Sequence, residues 1–189
     1  MSSEIKFLSL KDSDAWNSYI DYFSEKDISH TPEYLKVYSK KFNTNLDDSF
    51  CGIPSLLVYS EGKDFIINPV LLRKINDLPE FKDMTECYDI ISPYGYSGPL
   101  IHCENDTRNR LIDNYFDKCR FFFKKKKIVS EFIRYNPILN NHLDFLNHVN
   151  ISKTSQIVVI ELDKELSVLK SNLNKKTRNQ IRRSKTKGV

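Results

Sequence analysis

The sequence predicts a mixed α/β domain in which a central sheet is flanked by helices. An apolar, β-branched run, IVVIEL at 157–162, is typical of a central strand. Apolar residues at helical spacing between 106 and 123 predict a long helix with one buried face. Strand and helix patterns follow one another without strict alternation, which favours a mixed sheet over a purely parallel one.

The N-terminal elements come from local spacing and capping signals. Residues 5–10 alternate weakly and predict a first strand. Ser13 precedes apolar residues at helical spacing, namely Trp16, Tyr19, Ile20 and Phe23. Thr31, Pro32 and Glu33 form a helix start, with a side-chain cap, a first-turn proline and an acid. One face of that helix is expected to carry Leu35, Tyr38 and Phe42.

A hairpin is predicted next. Apolar runs at 56–59 and 65–72 are separated by a polar segment that contains Gly62. Pro69 indicates an edge position or a bulge in the second strand, because proline has no N–H to donate. A further short strand is expected at 88–91.

The second half continues with a helix that begins at Asp106 or Thr107. Its buried face is expected to comprise Leu111, Ile112, Tyr115, Phe116, Cys119, Phe122 and Phe123. A strand at 128–133 follows, then a break at Asn136-Pro137 and a helix over 139–149. After the 157–162 strand comes the last helix, which carries the basic residues and is expected to break near Asn174; it is marked by Leu166, Leu169, Leu173 and Ile181.

Charge is distributed unevenly along the chain. The net charge is +4, from 29 basic and 25 acidic residues. Eight of the basic residues lie between Lys170 and Lys187 with no acid among them, so residues 1–169 carry 21 basic and 25 acidic groups, a net −4. A basic segment of this kind attracts phosphate, nucleic acid or anionic lipid. The alternatives are a solvated helix face, or a helix that docks on the acidic body of its own domain.

Several classes of function are excluded or disfavoured. The four cysteines form no C-x-x-C pair and the four histidines lack i,i+4 spacing, so no metal site is predicted and the cysteines are expected as free thiols. A phosphate-binding G-x-x-x-x-G-K-[ST] loop is absent. No apolar run reaches the roughly 18 residues of a membrane span, and the N-terminus shows no signal peptide, so a cytoplasmic protein is expected.

The segment Ser92–Pro99 is a candidate binding loop. It holds four glycines and prolines in eight residues, which predicts a loop of fixed shape. Tyr94 and Tyr96 each offer a flat apolar face and a hydroxyl, and they project to one side if the backbone is extended. The alternative is a rigid turn whose tyrosines cover the edge of the core.

The strand after the long helix carries charges at alternating positions. Glu131 and Ile133 are expected on one face, Phe132 and Arg134 on the other. Arg134 suits a carboxylate or a phosphate, because its guanidinium binds such groups with two N–H donors. Glu131 is either a structural carboxylate or a general base. A cross-strand Glu–Arg pair is the structural alternative for both.

Three segments together resemble the Fem family of aminoacyl transferases, which are built from two GNAT (N-acyltransferase) units. They are YDIISPYGYSGPLI at 88–101, VSEFIRYNPILNN at 129–141, and VVIEL at 158–162 followed by LNKKTRNQIRRSKTKGV at 173–189. Their order along the chain agrees with the family. The resemblance implies a GNAT-like sheet and transfer of an aminoacyl or acyl group to an amine of a cell-envelope precursor, such as a peptidoglycan precursor.

The resemblance also implies roles for particular residues and partners. Tyr94, Gly95, Tyr96 and Arg134 would bind the acceptor, a lipid- or nucleotide-linked molecule. Arg178, Arg182 and Arg183 would contact phosphates of aminoacyl-tRNA or of a nucleotide carrier. No catalytic residue is assigned. Alternatives are a non-catalytic RNA- or anion-binding module, or a coenzyme A-dependent N-acyltransferase of surface glycan synthesis.

The chain departs from the family in two ways. Residues 1–162 are expected to form a first GNAT-like domain, and 163–189 a basic helix leading to a second GNAT-like domain or subunit that this chain lacks. The chain would then be inactive by itself. The Q/R-x-x-G-x-G/A loop of coenzyme A-dependent GNAT enzymes is also missing between Gln180 and Val189, so no cofactor is predicted.

Overall fold

The structure is a computed structural model that describes residues 3–39 and 51–188. It divides into two compact units, residues 1–150 and 151–189. The first unit holds the sheet and the longest helix, and the second holds two short helices. The boundary predicted from the sequence lay after residue 162. The assignment of 163–189 as a link to a further domain stays a prediction.

Six strands form one mixed sheet over the described residues, which confirms the predicted fold class. The strands are β1 Ser3–Ser9, β2 Ile53–Glu61, β3 Asp64–Lys74, β4 Tyr88–Ile91, β5 Leu100–His102 and β6 Ile128–Phe132. The order is β1-β2-β3-β4-β6, with β5 also paired to β3. The β4–β6 pair is parallel and the other strand pairs are antiparallel.

Helices cover both faces of this sheet. They are α1 Ser13–Ile20, α2 Pro32–Lys36 and α3 Arg108–Lys125. Trp16 of α1 and Leu35 of α2 pack with Leu56 on one face. Leu111 and Tyr115 of α3 belong to a second core cluster on the opposite face. Alternation along β2 and β3 sends successive side chains to these two cores, which explains why both strands are almost continuously apolar.

The predicted N-terminal helices are present but shorter than expected. The Thr31 hydroxyl accepts the Tyr34 N–H at 3.3 Å, which confirms the cap. Phe23 lies beyond the end of α1, although it still packs against the core. Phe42 lies outside the described residues.

Strand β3 changes partner along its length. Residues 65–67 pair with β5, and residues 71–74 pair with β4. Between them, residues 68–70 have a strand partner in the described chain only on the β2 side. Pro69 sits in this interval, in regular register opposite Leu56, so it lies at a local edge, as predicted, and forms no bulge. Proline is tolerated there because its missing N–H faces a gap in the pairing.

The helix predicted over 139–149 is also wrong. The described chain forms only one 3-10 turn there, Leu143–Phe145. The Asn136 side chain accepts the N–H groups of Ile138 at 2.9 Å and Leu139 at 3.2 Å. Asn140 has a φ of 52°. Side-chain acceptors that compete for backbone donors favour turns over a helix, and here they dominate.

The second unit contains α4 Leu166–Asn172 and α5 Lys175–Thr186. The predicted break is confirmed, since the Asn174 side chain caps α5 by accepting the Thr177 N–H at 2.9 Å. The strand predicted at 157–162 is wrong: these residues form no strand in the described chain, and Val158 is 91% exposed. An apolar β-branched run becomes a strand only when another strand pairs with it.

Candidate functional site

The Ser92–Pro99 loop joins β4 to β5. Side chains from outside the loop hold it in place by donating hydrogen bonds to its carbonyl groups. Tyr34 donates its hydroxyl to the Tyr94 carbonyl, and Ser29 donates to the Tyr96 carbonyl, both at 2.8 Å. The Asn141 side-chain amide donates to the Ser97 and Pro99 carbonyls at 3.0 and 3.1 Å. Such long-range partners fix the loop, as its composition predicts.

A buried histidine completes this set of bonds. The Asp27 N–H donates to Nδ1 of His30 at 3.2 Å, which leaves Nε2 to donate to the Gly98 carbonyl, also at 3.2 Å. Burial lowers the pKa of His30, so the neutral ring is the favoured form. This role could not be predicted, because His30 lies 68 residues from its acceptor along the chain.

Two glycines in the loop adopt backbone angles that other residues avoid. Gly95 has a φ of 97° and Gly98 a φ of 103°. A Cβ atom at Gly98 would lie 2.9 Å from the Asn141 side-chain nitrogen. At Gly95 the nearest atom would be the Tyr34 hydroxyl at 3.4 Å. Gly98 is therefore required both by conformation and by space.

Two of the predicted acceptor residues meet at the surface. The Arg134 guanidinium lies 6.0 Å from the Tyr94 ring centre and 5.1 Å from that of Phe132. Tyr94, Tyr96 and Phe132 are all more than 40% exposed. In the described part of the chain no carboxylate forms an ion pair with Arg134, which is partly exposed and close to two aromatic rings. We call Tyr94, Phe132 and Arg134 the arginine–aromatic surface.

The three arginines predicted to contact phosphate have different environments. Arg178 donates to the carbonyls of Ser171 at 3.0 Å and Leu173 at 2.7 Å, and so joins α4 to α5. Arg182 and Arg183 are exposed on α5, and Arg182 makes only a 3.4 Å hydrogen bond to the Asn179 side chain. Arg178 thus has a structural role that the sequence did not indicate.

The most unusual titratable group is Glu131, on β6. The Asn68 amide donates to its carboxyl at 2.8 Å. Burial raises the pKa of Glu131 to about 7, and the bond from Asn68 opposes part of this shift. The residue itself keeps partial exposure, because β6 is the terminal strand of the described sheet. Glu131 therefore exchanges a proton near neutral pH.

The groups around Glu131 are neutral. Tyr115 and Cys119 of α3, and Tyr135 in the segment after β6, interact electrostatically with Glu131. Burial raises the pKa of each of these three groups, so they keep their protons when Glu131 titrates. Among the residues that the structure describes, no lysine, arginine or histidine pairs with Glu131. A cross-strand Glu131–Arg134 pair is thus not formed.

Glu131 and Arg134 lie on opposite faces of the sheet. Glu131 is in register with Ile90, which packs on the α3 side. Phe132 is in register with Ile91, which packs on the α1–α2 side, and Arg134 lies against Phe132. The alternation expected from the sequence therefore separates the carboxyl from the guanidinium by the thickness of one strand.

Three further properties of the described residues concern metal binding, cysteines and membrane spans. These residues contain no group of three or more His, Cys, Asp or Glu side chains that is able to hold a metal ion. Cys119 is a buried free thiol, whereas Cys87 and Cys103 are free thiols that are only partly buried. No helix among these residues is long and apolar enough to span a membrane.

A cleft of about 720 Å³ is lined by other residues. Its walls include Pro32, Ile53, Leu72 and Leu78. Ser39 and Cys51 also line it, and these two residues border the stretch 40–50 that the structure does not describe. None of the predicted site residues lines the cleft, so we do not assign it to the candidate site.

Comparisons with known proteins add little to this picture. No protein-family model matches the sequence. No curated protein matches it either. A ribosomal-protein-alanine N-acetyltransferase from Brucella melitensis biovar Abortus 2308 resembles it in structure, with a TM-score of 0.37 and 13% identity. That match covers 85% of this chain and 100% of the other. These values are too low to establish a shared fold or activity, and the Fem resemblance stays a hypothesis.

Proposed function

We propose that this chain transfers an acyl or aminoacyl group to an amine, with Glu131 accepting a proton from that amine. One observation carries the proposal: Glu131 is a buried carboxyl group with neutral neighbours and a pKa of about 7. A general base is most effective when its pKa lies near the working pH. An amine must lose a proton before or during amide formation, so this is the group that the reaction needs.

The acceptor in this proposal is an extended, anionic molecule. Its negative group binds Arg134 between Tyr94 and Phe132, on one face of the sheet. Its amine reaches Glu131 on the other face by passing around the outer edge of β6, the terminal strand. The Fem resemblance narrows the acceptor to a lipid- or nucleotide-linked cell-envelope precursor and the donor to aminoacyl-tRNA. A second GNAT-like unit or subunit, joined through 163–189, would complete the enzyme.

The activity can be tested with defined donors and acceptors. The protein would be incubated with aminoacyl-tRNA or acetyl-coenzyme A, and with a nucleotide-linked muropeptide as acceptor. We expect a new amide on the acceptor, detected by mass spectrometry, that depends on Glu131. If Glu131→Gln forms as much product as the wild type, Glu131 is not the base.

Replacing Arg134 should weaken acceptor binding specifically. We expect Arg134→Gln to raise KM for an anionic acceptor about tenfold, because a charge-assisted hydrogen bond contributes roughly 1.5–3 kcal/mol. The value of kcat should change little, since Arg134 lies on the face away from Glu131. Arg120→Gln is the matched control: Arg120 is exposed on α3 and pairs with Asp117. Equal effects of the two variants would argue against the arginine–aromatic surface.

A second candidate function rests on α5. Its basic residues are exposed, with no acid between Lys170 and Lys187, which suits a non-catalytic contact with RNA. Binding of this kind is steeply salt-dependent because it releases counterions. RNA affinity would be measured at two salt concentrations. Tight, salt-dependent binding without any transfer activity would favour this function over the first.

Charge reversal on α5 gives a quantitative test of the RNA contact. The double variant Arg182→Glu/Arg183→Glu should reduce the slope of log affinity against log salt by about 1 to 2, since each lost phosphate contact contributes about 0.7 for single strands. Lys124→Glu/Lys125→Glu is the matched control, with the same change of charge at the exposed end of α3. An unchanged slope in the α5 variant would show that these two arginines do not contact the RNA phosphates.

A further inference from the structure

A phenylalanine is exposed on the outer face of α3. Phe121 is 77% exposed, whereas its neighbours Phe122 and Phe123 pack against the core cluster on that side of the sheet. A helix turns by about 100° per residue, so three consecutive phenylalanines cannot all face the core. Single exposed apolar residues are common on protein surfaces. The significance of Phe121 therefore depends on the residues around it.

Lysines surround this exposed ring. Residues three and four positions apart on a helix are neighbours, which places Lys118, Lys124 and Lys125 beside Phe121. All three lysines are exposed. The chain then leaves α3 through two more exposed lysines. We call this set the basic end of α3: Phe121, Lys118 and the four lysines at 124–127.

Little negative charge compensates these lysines. The sequence contains no acid between positions 118 and 130. Among the residues that the structure describes, no carboxylate forms an ion pair with a lysine of the basic end. Glu86 interacts electrostatically with one of them, but its ion pair is with Lys74. Asp117, which precedes the basic end on α3, pairs with Arg120. The five lysines therefore have no counter-ion in the described chain.

The last of these lysines adopts a backbone conformation that favours glycine. Lys127 has a φ of 57°, in the left-handed region, at the turn that ends α3. Glycine or asparagine usually occupies this position after a helix, because a Cβ atom strains the backbone there. A lysine thus lowers the stability of the turn. A residue that opposes the local backbone preference indicates a role for its side chain outside the fold.

One apolar ring among several lysines fits the surface of an anionic lipid bilayer. Anionic headgroups attract lysines that lie within a Debye length of the membrane. An aromatic side chain enters the region between the headgroups and the acyl chains, where its apolar surface leaves water. RNA fits less well, because proteins bind unpaired bases by stacking them on several aromatic rings or on arginine, and the basic end offers lysines and a single phenylalanine.

We propose that the basic end of α3 attaches this chain to anionic lipid bilayers, with Phe121 inserted among the headgroups and the lysines close to their phosphates. The inference goes beyond the proposed function and does not rest on it, since it involves no acyl transfer. A single inserted ring and five lysines make a peripheral contact. Attachment should therefore be reversible and should weaken as salt is added.

Tryptophan fluorescence would report insertion of the ring directly. The chain has one tryptophan, Trp16, which is fully buried, so its emission should not respond to vesicles. In Phe121→Trp we expect a blue shift with vesicles that contain phosphatidylserine, and none with phosphatidylcholine alone. Tyr22→Trp is the matched control, since Tyr22 is 63% exposed but lies between Asp21 and Glu25. No shift in Phe121→Trp, or equal shifts in both variants, would overturn the proposal.

Charge reversal in the Phe121→Trp protein tests the lysines. Lys124→Glu/Lys125→Glu should weaken binding to phosphatidylserine vesicles at least about tenfold, because each lysine near the surface contributes roughly fivefold. Arg182→Glu/Arg183→Glu makes the same change of net charge on α5 and should leave the blue shift in place. Equal losses in the two variants would assign binding to net charge and overturn the proposal. So would a shift that RNA produces and vesicles do not.

Lys127→Gly separates a membrane contact from a role in ending the helix. Glycine relieves the left-handed strain, so Tm should rise, whereas vesicle affinity should fall roughly fivefold with the loss of one lysine. Calorimetry and vesicle sedimentation of the full chain would measure the two effects. A lower Tm with unchanged vesicle affinity would mean that Lys127 serves the fold, and it would overturn the proposal for this residue.

Discussion

Glu131→Gln should abolish most transfer activity and at the same time stabilise the protein above neutral pH. The activity should fall at least about 100-fold, because general-base catalysis contributes roughly 10²–10⁴. Glutamine keeps the size of the side chain and can still accept the Asn68 N–H, so the fold should be retained. Rates of amide formation in wild type and variant, measured from pH 6 to 9, would show whether the ionisation near pH 7 disappears with the carboxyl group.

The gain in stability follows from the raised pKa. The folded state holds the Glu131 proton up to about pH 7, whereas in the unfolded chain the pKa has its ordinary value of 4.5. The ionised form is therefore disfavoured by folding, and this cost develops between about pH 4.5 and 7. At about 1.4 kcal/mol per pKa unit it amounts to about 3 kcal/mol at pH 8.

Urea unfolding at two pH values would measure this effect. Glu131→Gln and wild type should differ little at pH 4.5, whereas the variant should be more stable at pH 8. Glu104→Gln is the matched control, because Glu104 is exposed and pairs with Lys63, which lowers its pKa instead of raising it. A Glu131 variant that is less stable than wild type at pH 8 would show that the carboxylate is well solvated or paired.

Gly98→Ala should have the largest effect on the loop that carries Tyr94 and Tyr96. Alanine at a φ of 103° is strained, and its Cβ would lie 2.9 Å from the Asn141 nitrogen, which holds two loop carbonyls. We expect a loss of about 2–3 kcal/mol in the free energy of unfolding. For a protein of this size that corresponds to a decrease of roughly 5–10 °C in Tm.

Gly95→Ala separates the two causes of this effect. Gly95 has a similar φ, but a Cβ there would only reach ordinary contact distance from the Tyr34 hydroxyl. We therefore expect a smaller decrease in Tm, from backbone strain without the clash. If both variants melt at the same temperature, the close approach of Asn141 to Gly98 has no energetic importance. Differential scanning calorimetry gives both values directly.

Elements with strong local signals were predictable from the sequence. The β2–β3 hairpin, the β4 strand and α3 were found because each has a long apolar period or a clear turn. The cap at Thr31 and the break at Asn174 were found because both depend on a side chain within three residues of its acceptor site. These features arise from short-range physical chemistry, which is visible along the chain.

The failures came from interactions between distant residues or from competing local bonds. The 157–162 run has the composition of a strand, but composition does not supply a partner. The 139–149 run has apolar residues at helical spacing, yet Asn136 and Asn140 impose turns. Pro69 correctly indicated an edge, but the sequence could not show that this edge is the gap where β3 exchanges β5 for β4.

The candidate site was only half visible. The fixed loop, Arg134 and the alternation around Glu131 could be predicted from spacing. The bond between Asn68 and Glu131 could not, because these residues lie 63 positions apart and meet only through the fold. A polar Asn68 within the apolar run 65–72 was the one available signal.

We expect Glu131 to keep its proton until about pH 7, and NMR titration of its side-chain carboxyl carbon would measure this. The protein would be labelled with ¹³C-glutamate and the resonance assigned by its loss in Glu131→Gln. We predict a midpoint near pH 7 for Glu131, apart from the other glutamates. A midpoint near 4.5 would mean that the group is ionised throughout the neutral range, and it would contradict the assignment of Glu131 as the base.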